Sequence, residues 1–140
     1  MSETLPLAGI RVVEFTHMVM GPTCGMILAD LGAEVIKVEP LAGDNTRRLL
    51  GSGAGFYPMF NRNKKSISID VKNPIGREII LKLVAGADVF SENFKSGTMD
   101  KLGFGYSALS KLNPPSFMFR TKASCPVPTT TVPRSTKSFK

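Results

Sequence analysis

The residues with the clearest capacity for chemistry are a histidine and a cysteine near the start of the chain. His17 follows the apolar, β-branched segment 10–15, and Cys24 comes shortly after it. An imidazole at such a place can act as a general base or a metal ligand, and a thiolate is favoured near a helix N-terminus. His17 is the only histidine, and the only other cysteine is the distant Cys125. The pattern therefore favours a turn residue for His17 and a small buried residue for Cys24, with no metal site.

A second group of candidates is basic. Arg62, Lys64 and Lys65 precede one predicted strand, and three further lysines follow later strands or turns: Lys72, Lys95 and Lys101. Several lysines gathered at one end of a sheet would attract a phosphorylated ligand, whereas single lysines are usually solvated. Spacing along the chain does not show whether they gather, so both interpretations stay open.

A dinucleotide site is the third chemical possibility. Glu39 ends the second predicted strand, where a carboxylate can hold a ribose diol. The turn after the first predicted strand, residues 17–25, lacks the GxGxxG spacing that lets the backbone approach a pyrophosphate. The sequence therefore disfavours NAD or FAD as a ligand, and a charged residue capping a strand is the simpler interpretation of Glu39.

Strand and helix patterns alternate along the part of the chain that carries these residues. Short β-branched or alternating segments predict strands over 10–15, 34–39, 66–70 and 88–92. Helical spacing and capping signals predict helices over 23–31, 73–84, 98–102 and 106–112, with a Gly-rich surface loop over 41–57. This alternation predicts an α/β, Rossmann-like fold, which is a mostly parallel sheet with flanking helices.

Composition and charge limit the kind of protein. The chain has 140 residues, 42% of them hydrophobic, and no apolar run reaches the ~18 residues needed to span a bilayer. Residues 1–114 hold 13 Lys/Arg and 11 Asp/Glu, a net charge of +2, so this part offers no broad basic face for nucleic acid. The N-terminus lacks the pattern of a secretory signal. We expect a cytoplasmic protein without nucleic-acid or membrane partners.

Several sequence strings resemble the opening of one enzyme family. They are LAGIRVVEF (7–15), Gly21-Pro22, LGAEVIKVEP (31–40), Gly43-Asp44 with Arg47, NRNKKSI (61–67), ENF (92–94) and Leu102-Gly103. In this order and spacing, across residues 5–114, they resemble the N-terminal portion of the class III CoA-transferases. That family includes formyl-CoA transferase, carnitine dehydratase and the bile-acid-inducible F protein.

The resemblance implies an enzyme that moves CoA from an acyl-CoA to a carboxylic acid. It implies a Rossmann-like large domain plus a small domain, in protomers interlocked as a homodimer, and residues 1–114 match the N-terminal part of that large domain. Coenzyme A or acyl-CoA is then a substrate, and no cofactor is held covalently. The positions that match the family's CoA contacts are His17, Val19 and Met20 after the first strand, Ile69, Asp70, Val71 and Lys72 at the end of the alternating strand, Asn93, Phe94 and Lys95 after the fourth, and Lys101.

The sequence also departs from the family. The family's nucleophile is an aspartate in a later Gly-Asp segment, and neither Asp88 nor Asp100 stands in that context, so we assign no catalytic residue. Val19 stands where formyl-CoA transferases carry Gln, so the sequence does not support a formyl or oxalate specificity. The small domain is missing. We therefore expect a chain truncated before its nucleophile, with little transferase activity by itself. The alternative is a non-catalytic CoA-binding, nucleotide-binding or interaction module.

Residues 115–140 differ in character from the rest of the chain. They contain 5 Lys/Arg, 4 Pro and 9 Ser/Thr, no acidic residue and no periodic apolar face, which predicts a disordered basic tail. A one-base shift of reading frame near residues 116–120 would permit a peptide with the Lys-Gly and Gly-Pro features that the family places there. We therefore expect this tail to be out of frame, and a native basic arm is the alternative.

Overall fold

The computed structural model describes residues 4–114 and 117–120, and its centre is a parallel β-sheet. The strands are β1 (Arg11–Phe15), β2 (Glu34–Glu39), β3 (Lys65–Ser68), β4 (Val89–Glu92) and β5 (Phe117–Arg120). Among the described residues the strand pairings are all parallel, in the order β3-β2-β1-β4-β5. The predicted Rossmann-like α/β fold with a mostly parallel sheet is confirmed.

The described part of the chain has five α-helices. They are α1 (Met20–Asp30), α2 (Phe56–Phe60), α3 (Pro74–Ala85), α4 (Thr98–Leu102) and α5 (Tyr106–Leu112). α3 begins as predicted, because the Asn73 side chain accepts a hydrogen bond from Ile75 N at 2.9 Å and Pro74 takes the first helical position. Within residues 4–114 and 117–120, no helix is long and apolar enough to cross a membrane.

Two boundaries differ from the prediction. α1 begins at Met20 rather than at 23, since Pro22 fits a first helical turn, where no backbone N–H is needed. The predicted loop 41–57 contains two 3-10 turns, Asn45–Arg48 and Gly51–Gly53, and α2 begins at its end. Asp44 initiates the first of these turns, because its Oδ1 accepts from Thr46 N at 2.9 Å. The segment is therefore more regular than its Gly-rich composition indicates.

Alternate residues of each strand face opposite cores. On one face, Val12 and Val35 pack against α1 with Ala29 and Ala33. On the other face the larger core joins the sheet to the last three helices, through Val13, Phe15, Val38, Ile69, Ile80, Val84, Ala87, Phe90, Met99, Phe104 and Leu109. β1 is thus covered on both sides, which explains why the four residues after Arg11, including the charged Glu14, are all buried.

The strand order reverses at β1, and this reversal creates a crevice. From β1 the chain passes through α1 to β2 and β3 on one side, whereas β4 and β5 lie on the other side. The loops after β1 and β4 therefore diverge at the carboxyl edge of the sheet, where open α/β sheets bind their ligands. His17 follows β1 and Asn93 follows β4, so both residues lie at this point.

β5 lies inside the segment 115–140 that the composition assigned to a disordered tail. Its backbone pairs with β4, from Val89 opposite Phe117 to Glu92 opposite Arg120. Residues 117–120 thus form a strand where the composition predicted disorder. The edge of β4 offers unpaired backbone groups with which a short segment can pair. The rest of the prediction, for residues 121–140, lies outside the described residues.

Candidate functional site

Two adjoining cavities open at the carboxyl edge of the sheet. The first, of about 460 Å³, lies at the crevice between β1 and β4. The second, of about 400 Å³, lies beside it above the end of β3. Val38, Glu39, Pro40 and Phe94 line both cavities and form the wall between them. The carboxyl edge therefore offers one bipartite, largely apolar site.

Eight of the eleven residues predicted as CoA contacts line these cavities. The first cavity is lined by His17, Asn93, Phe94 and Lys95, and the second by Ile69, Asp70, Val71, Lys72 and again Phe94. Three separate loops of the sequence thus meet at one site. Val19 and Met20, at the start of α1, and Lys101, in α4, line neither cavity.

The turn Thr16–Met18, which we call the His17 turn, is held by side chains from two other loops. Asn93 accepts a hydrogen bond from His17 N at 3.0 Å and donates one to His17 O at 2.8 Å. Met18 N donates to Thr46 Oγ1 at 3.1 Å. The His17 ring packs on Phe94 with a centroid distance of 5.0 Å. The turn is therefore positioned by tertiary contacts rather than by a local sequence motif.

A cluster of buried charges, Glu14, Lys37, Asp44 and Lys64, lies beneath the His17 turn. Lys37 Nζ donates to the Thr16 carbonyl at 2.6 Å and pairs with Asp44 at 3.1 Å. Lys64 Nζ lies 2.9 Å from Glu14 Oε1. Burial is the larger influence on Lys64 and lowers its pKa, although Glu14 opposes this change. These charges pair with one another, as buried ions must.

Asp44 is the member of this cluster that reaches the first cavity. Burial by itself would raise the pKa of its carboxyl, but two hydrogen bonds from Thr46 and the charge of Lys37 outweigh burial, so the pKa is lowered. The carboxylate is thus ionised and committed to neighbouring protein groups.

Glu39 is also fully engaged. Its carboxylate accepts two hydrogen bonds from Arg47 at 2.8 Å, one each from Tyr57 and Ser66 at 2.6 Å, and one from Asp44 N at 2.8 Å. Burial opposes ionisation, yet these hydrogen bonds outweigh it and lower the pKa of Glu39. Burial and the nearby Glu39 raise the pKa of Tyr57. No acceptor site of Glu39 is left for a ribose, which supports the case against a dinucleotide.

The structure decides which of the candidate cations gather at the carboxyl edge of the sheet. Lys64 is buried against Glu14, and the other two members of that group form ion pairs near the opposite edge, Arg62 with Asp30 at 2.6 Å and Lys65 with Glu34 at 2.6 Å. Lys72 and Lys95 are the predicted cations that line the cavities.

Cys24 is half-buried in α1, and the structure supports a structural role for it. Burial, with a smaller contribution from Glu14, raises the pKa of its thiol. A raised pKa disfavours the thiolate that a nucleophile requires. In the described residues, no group of three or more His, Cys, Asp or Glu side chains could hold a metal ion.

Sequence reasoning missed Thr46 and Lys37 as contributors to the site. Thr46 is buried, lines the first cavity and carries two hydrogen bonds at its hydroxyl, from Met18 N and to Asp44. Lys37 carried a usable signal, since a lysine inside the apolar strand 34–39 must find buried partners. Thr46 carried only the weak signal of an Asp-x-Thr turn in a Gly-rich segment.

The fold and the cavities define a parallel, doubly wound α/β protein with two cavities at its topological switch point, where proteins of this class bind ligands. Residues 7–120 match the family described as CoA-transferase family III, and the chain belongs to that family. The formyl-CoA:oxalate CoA-transferase of Afipia carboxidovorans is 42% identical over 127 residues, which cover 87% of this chain and 30% of that protein. The acyl-CoA transferase of Fusarium pseudograminearum is 43% identical over 121 residues, or 77% of this chain and 26% of that protein.

Solved structures give the same relationship. The crystal structure of Rv3272 from Mycobacterium tuberculosis superposes with a TM-score of 0.80 at 42% identity, over 85% of this chain and 33% of that chain. A CAIB/BAIF family protein from Brucella suis gives a TM-score of 0.78 at 41% identity, over 84% of this chain and 33% of that chain. This chain thus spans about a third or less of the length of the relatives that it matches.

Proposed function

We propose that this chain is the CoA-binding N-terminal part of the large domain of a CoA-transferase, an enzyme that moves CoA from an acyl-CoA to a carboxylic acid. The observation that carries the proposal is the bipartite cavity, because it unites residues from three loops that the family resemblance assigned to CoA. Eight of those eleven residues line it. The related proteins named as CoA-transferases support the same reaction class.

The chemistry of the two cavities suits the parts of CoA. The ligand carries phosphates, a flat adenine and a long, largely apolar arm. Lys95 in the first cavity and Lys72 in the second can attract phosphate oxygens. Phe94, which lines both cavities, supplies an aromatic surface for stacking. The two cavities can therefore hold different parts of one elongated ligand.

The carboxylates of Glu39 and Asp44 beside these cavities are committed to protein contacts, whereas the exposed Asp70 accepts a hydrogen bond at one oxygen. Glu39 and Asp44 accept the hydrogen bonds described above, and Asp70 Oδ1 accepts from Lys72 N at 2.9 Å. Covalent transfer requires a carboxylate that is free to attack the acyl carbon. The sequence assigns no residue to the nucleophilic aspartate of the family, and Glu39 and Asp44 are occupied by protein groups. We therefore propose that this chain binds CoA without transferring it.

For the whole protein we propose what the resemblance implies. Its substrates are an acyl-CoA and a carboxylic acid, and it forms an interlocked homodimer in the cytoplasm. Val19, at the position where formyl-CoA transferases carry Gln, leaves the acyl and acceptor groups open.

Calorimetric titration of the full chain with free CoA tests the binding function. We expect saturable binding of CoA and none of NAD. Lys72→Ala and Lys95→Ala should each raise the Kd about tenfold, because each removes one charge-assisted contact. Lys82→Ala is the matched control, since Lys82 pairs with Glu78 on the exposed side of α3. Absence of CoA binding, or an equal loss in the control, would contradict the proposal.

A turnover assay tests the proposal that this chain does not transfer CoA. The purified chain is incubated with a labelled acyl-CoA and a set of small carboxylic acids, and product CoA esters are separated by chromatography. We expect no turnover above that of buffer. Transfer at enzymatic rates would show that a catalytic carboxylate is present in this chain.

The proposal also covers residues 120–140, which we assign to a displaced reading frame. The family match ends at 120, where β5 also ends. Sequencing the coding DNA across codons 112–140 and several hundred bases beyond provides the test. A displaced frame that continues into a Gly-Asp segment and a small domain is expected. Confirmation of the printed frame with no such continuation would favour a native basic arm.

A further inference from the structure

The His17 turn has an unusual backbone for its residue types. Met18 has φ of 65°, in the left-handed region that side chains other than Gly rarely adopt. Thr16, His17 and Met18 all line the first cavity. Such a conformation persists only when surrounding contacts hold it, and strained positions of this kind concentrate at ligand sites.

Four backbone polar groups of this turn are held by side chains. Lys37 holds the Thr16 carbonyl, Asn93 holds both His17 N and His17 O, and Thr46 holds Met18 N. Lys37 and Thr46 are joined in turn through Asp44, at 3.1 Å to Lys37 and 2.8 Å to Thr46 Oγ1. The turn is therefore held from two sides, by β2 with the loop after it and by Asn93 after β4.

One polar side-chain atom of the turn is not satisfied by these contacts. His17 Nδ1 is buried and has no hydrogen-bond partner among the described residues. A buried polar atom without a partner is uncommon, and at the wall of a cavity a bound molecule can satisfy it. The side-chain groups of Asn93, in contrast, are both used on the His17 backbone.

We propose that Thr46 and Asn93 are positioning residues that hold the His17 turn in the shape needed to bind the ligand. Their side chains act on the backbone of the turn, and the cavity wall formed by the turn acts on the ligand. This assigns Asn93 a role different from a direct side-chain contact with CoA. The inference rests on the proposed function for the identity of the ligand, whereas its structural part is independent of it.

Thr46 offers a matched pair of variants. Thr46→Val keeps the shape of the side chain and removes the hydroxyl, whereas Thr46→Ser keeps the hydroxyl. We expect Thr46→Val to speed amide hydrogen exchange at Met18 about tenfold and to raise the Kd for CoA by a similar factor. Thr46→Ser should restore both values to within about twofold of the unsubstituted chain. The amide of Val13 in β1 reports global unfolding, and exchange at Met18 should increase more than exchange at Val13 does.

Asn93→Asp tests the contacts between Asn93 and the His17 backbone. It also keeps the proposal testable if Thr46→Val does not fold. It replaces the amide donor to His17 O with a carboxylate oxygen, so the turn should loosen at His17 and CoA binding should weaken. Unchanged exchange at Met18 in Thr46→Val would overturn the proposal, as would faster exchange with an unchanged Kd for CoA. A further outcome is that the unsubstituted chain fails to bind CoA while exchange at Met18 still depends on the Thr46 hydroxyl. In that case the proposed function is wrong, but Thr46 still positions the His17 turn.

Discussion

Charged side chains are exposed at one edge of the parallel sheet and buried at the other. At the amino edge, Arg11 and Lys65 pair with Glu34 in contact with solvent, and both basic side chains are about half exposed or more. At the carboxyl edge, Glu14 and Lys37 are completely buried and belong to a cluster that supports the His17 turn. Exposed pairs contribute little to stability, whereas a buried charge depends on each of its partners. These buried ions lie beside the candidate site, where their pairs connect the His17 turn with β2 and the loop after it.

The largest expected effect comes from Lys37→Met, which removes the charge and leaves an apolar side chain. Asp44 then lies buried beside a group that cannot neutralise it, and the Thr16 carbonyl loses its donor. We expect the free energy of unfolding to fall by about 3–5 kcal/mol. Urea denaturation measures this change. A loss under about 1 kcal/mol would show that the cluster is not a unit.

Glu39→Gln should have the next largest effect, and its size should depend on pH. Loss of the charged partner of Arg47 should cost about 2–3 kcal/mol at neutral pH. Because the pKa of Glu39 is lowered by folding, its stabilisation is present above its ordinary pKa of 4.5 and is lost as the pH falls below that value. The difference between Glu39→Gln and the unsubstituted chain should therefore shrink below about pH 4.5. Glu78→Gln, on the exposed face of α3, is the control, and a difference independent of pH would contradict the assignment.

Gly25→Ala should produce a smaller, steric effect. Gly25 lies in α1 directly over Glu14, and a Cβ at this position would overlap Glu14 Oε2. We expect a loss of about 1–2 kcal/mol, because the buried carboxylate can shift only by leaving Lys64. The matched variant at the amino edge is Gly86→Ala, whose Cβ would lie at ordinary contact distance, 3.4 Å from Arg11 Nη1 and 3.9 Å from Leu83 O. Equal thermal midpoints for the two variants would remove the distinction between the edges.

Lys65→Met should have the smallest effect and completes the comparison with Lys37→Met. The same change of residue type here breaks an exposed pair with Glu34, which solvent and salt already weaken. We expect an unfolding free energy equal to that of the unsubstituted chain at moderate ionic strength. A loss approaching that of Lys37→Met would mean that burial is not what separates the two edges.

The sequence predicted most of the fold because the relevant signals are local. The β-branched segment of β1, the Asn73-Pro74 start of α3 and the apolar spacing along α3 each specify an element with little help from the rest of the chain. Prediction failed where the signal was not local. α2 and the ordered turns before it follow no periodic pattern, and they are stabilised by contacts such as the hydrogen bond from Tyr57 to Glu39.

The candidate site was likewise predicted only in part. Resemblance placed His17, Asp70 and Asn93 in one site although they are far apart in sequence, and the strand order explains how they meet. It could not show that Lys64 is buried, that Asn93 holds the backbone of His17, or that Thr46 reaches Met18. Those facts depend on distances between loops, which no spacing along the chain contains.

Hydrophobic periodicity, capping residues and family strings are local properties of the chain, and from them follow the α/β class, the alternation of strands and helices, and the likeness to CoA-transferases. The folded arrangement was needed to learn which charges are buried, which lysines reach the cavities and how the His17 turn is held. A charged or polar side chain takes its role from its partners and its exposure to water. Both are set only when β2, β4 and the loop after β2 are brought together at one edge of the sheet.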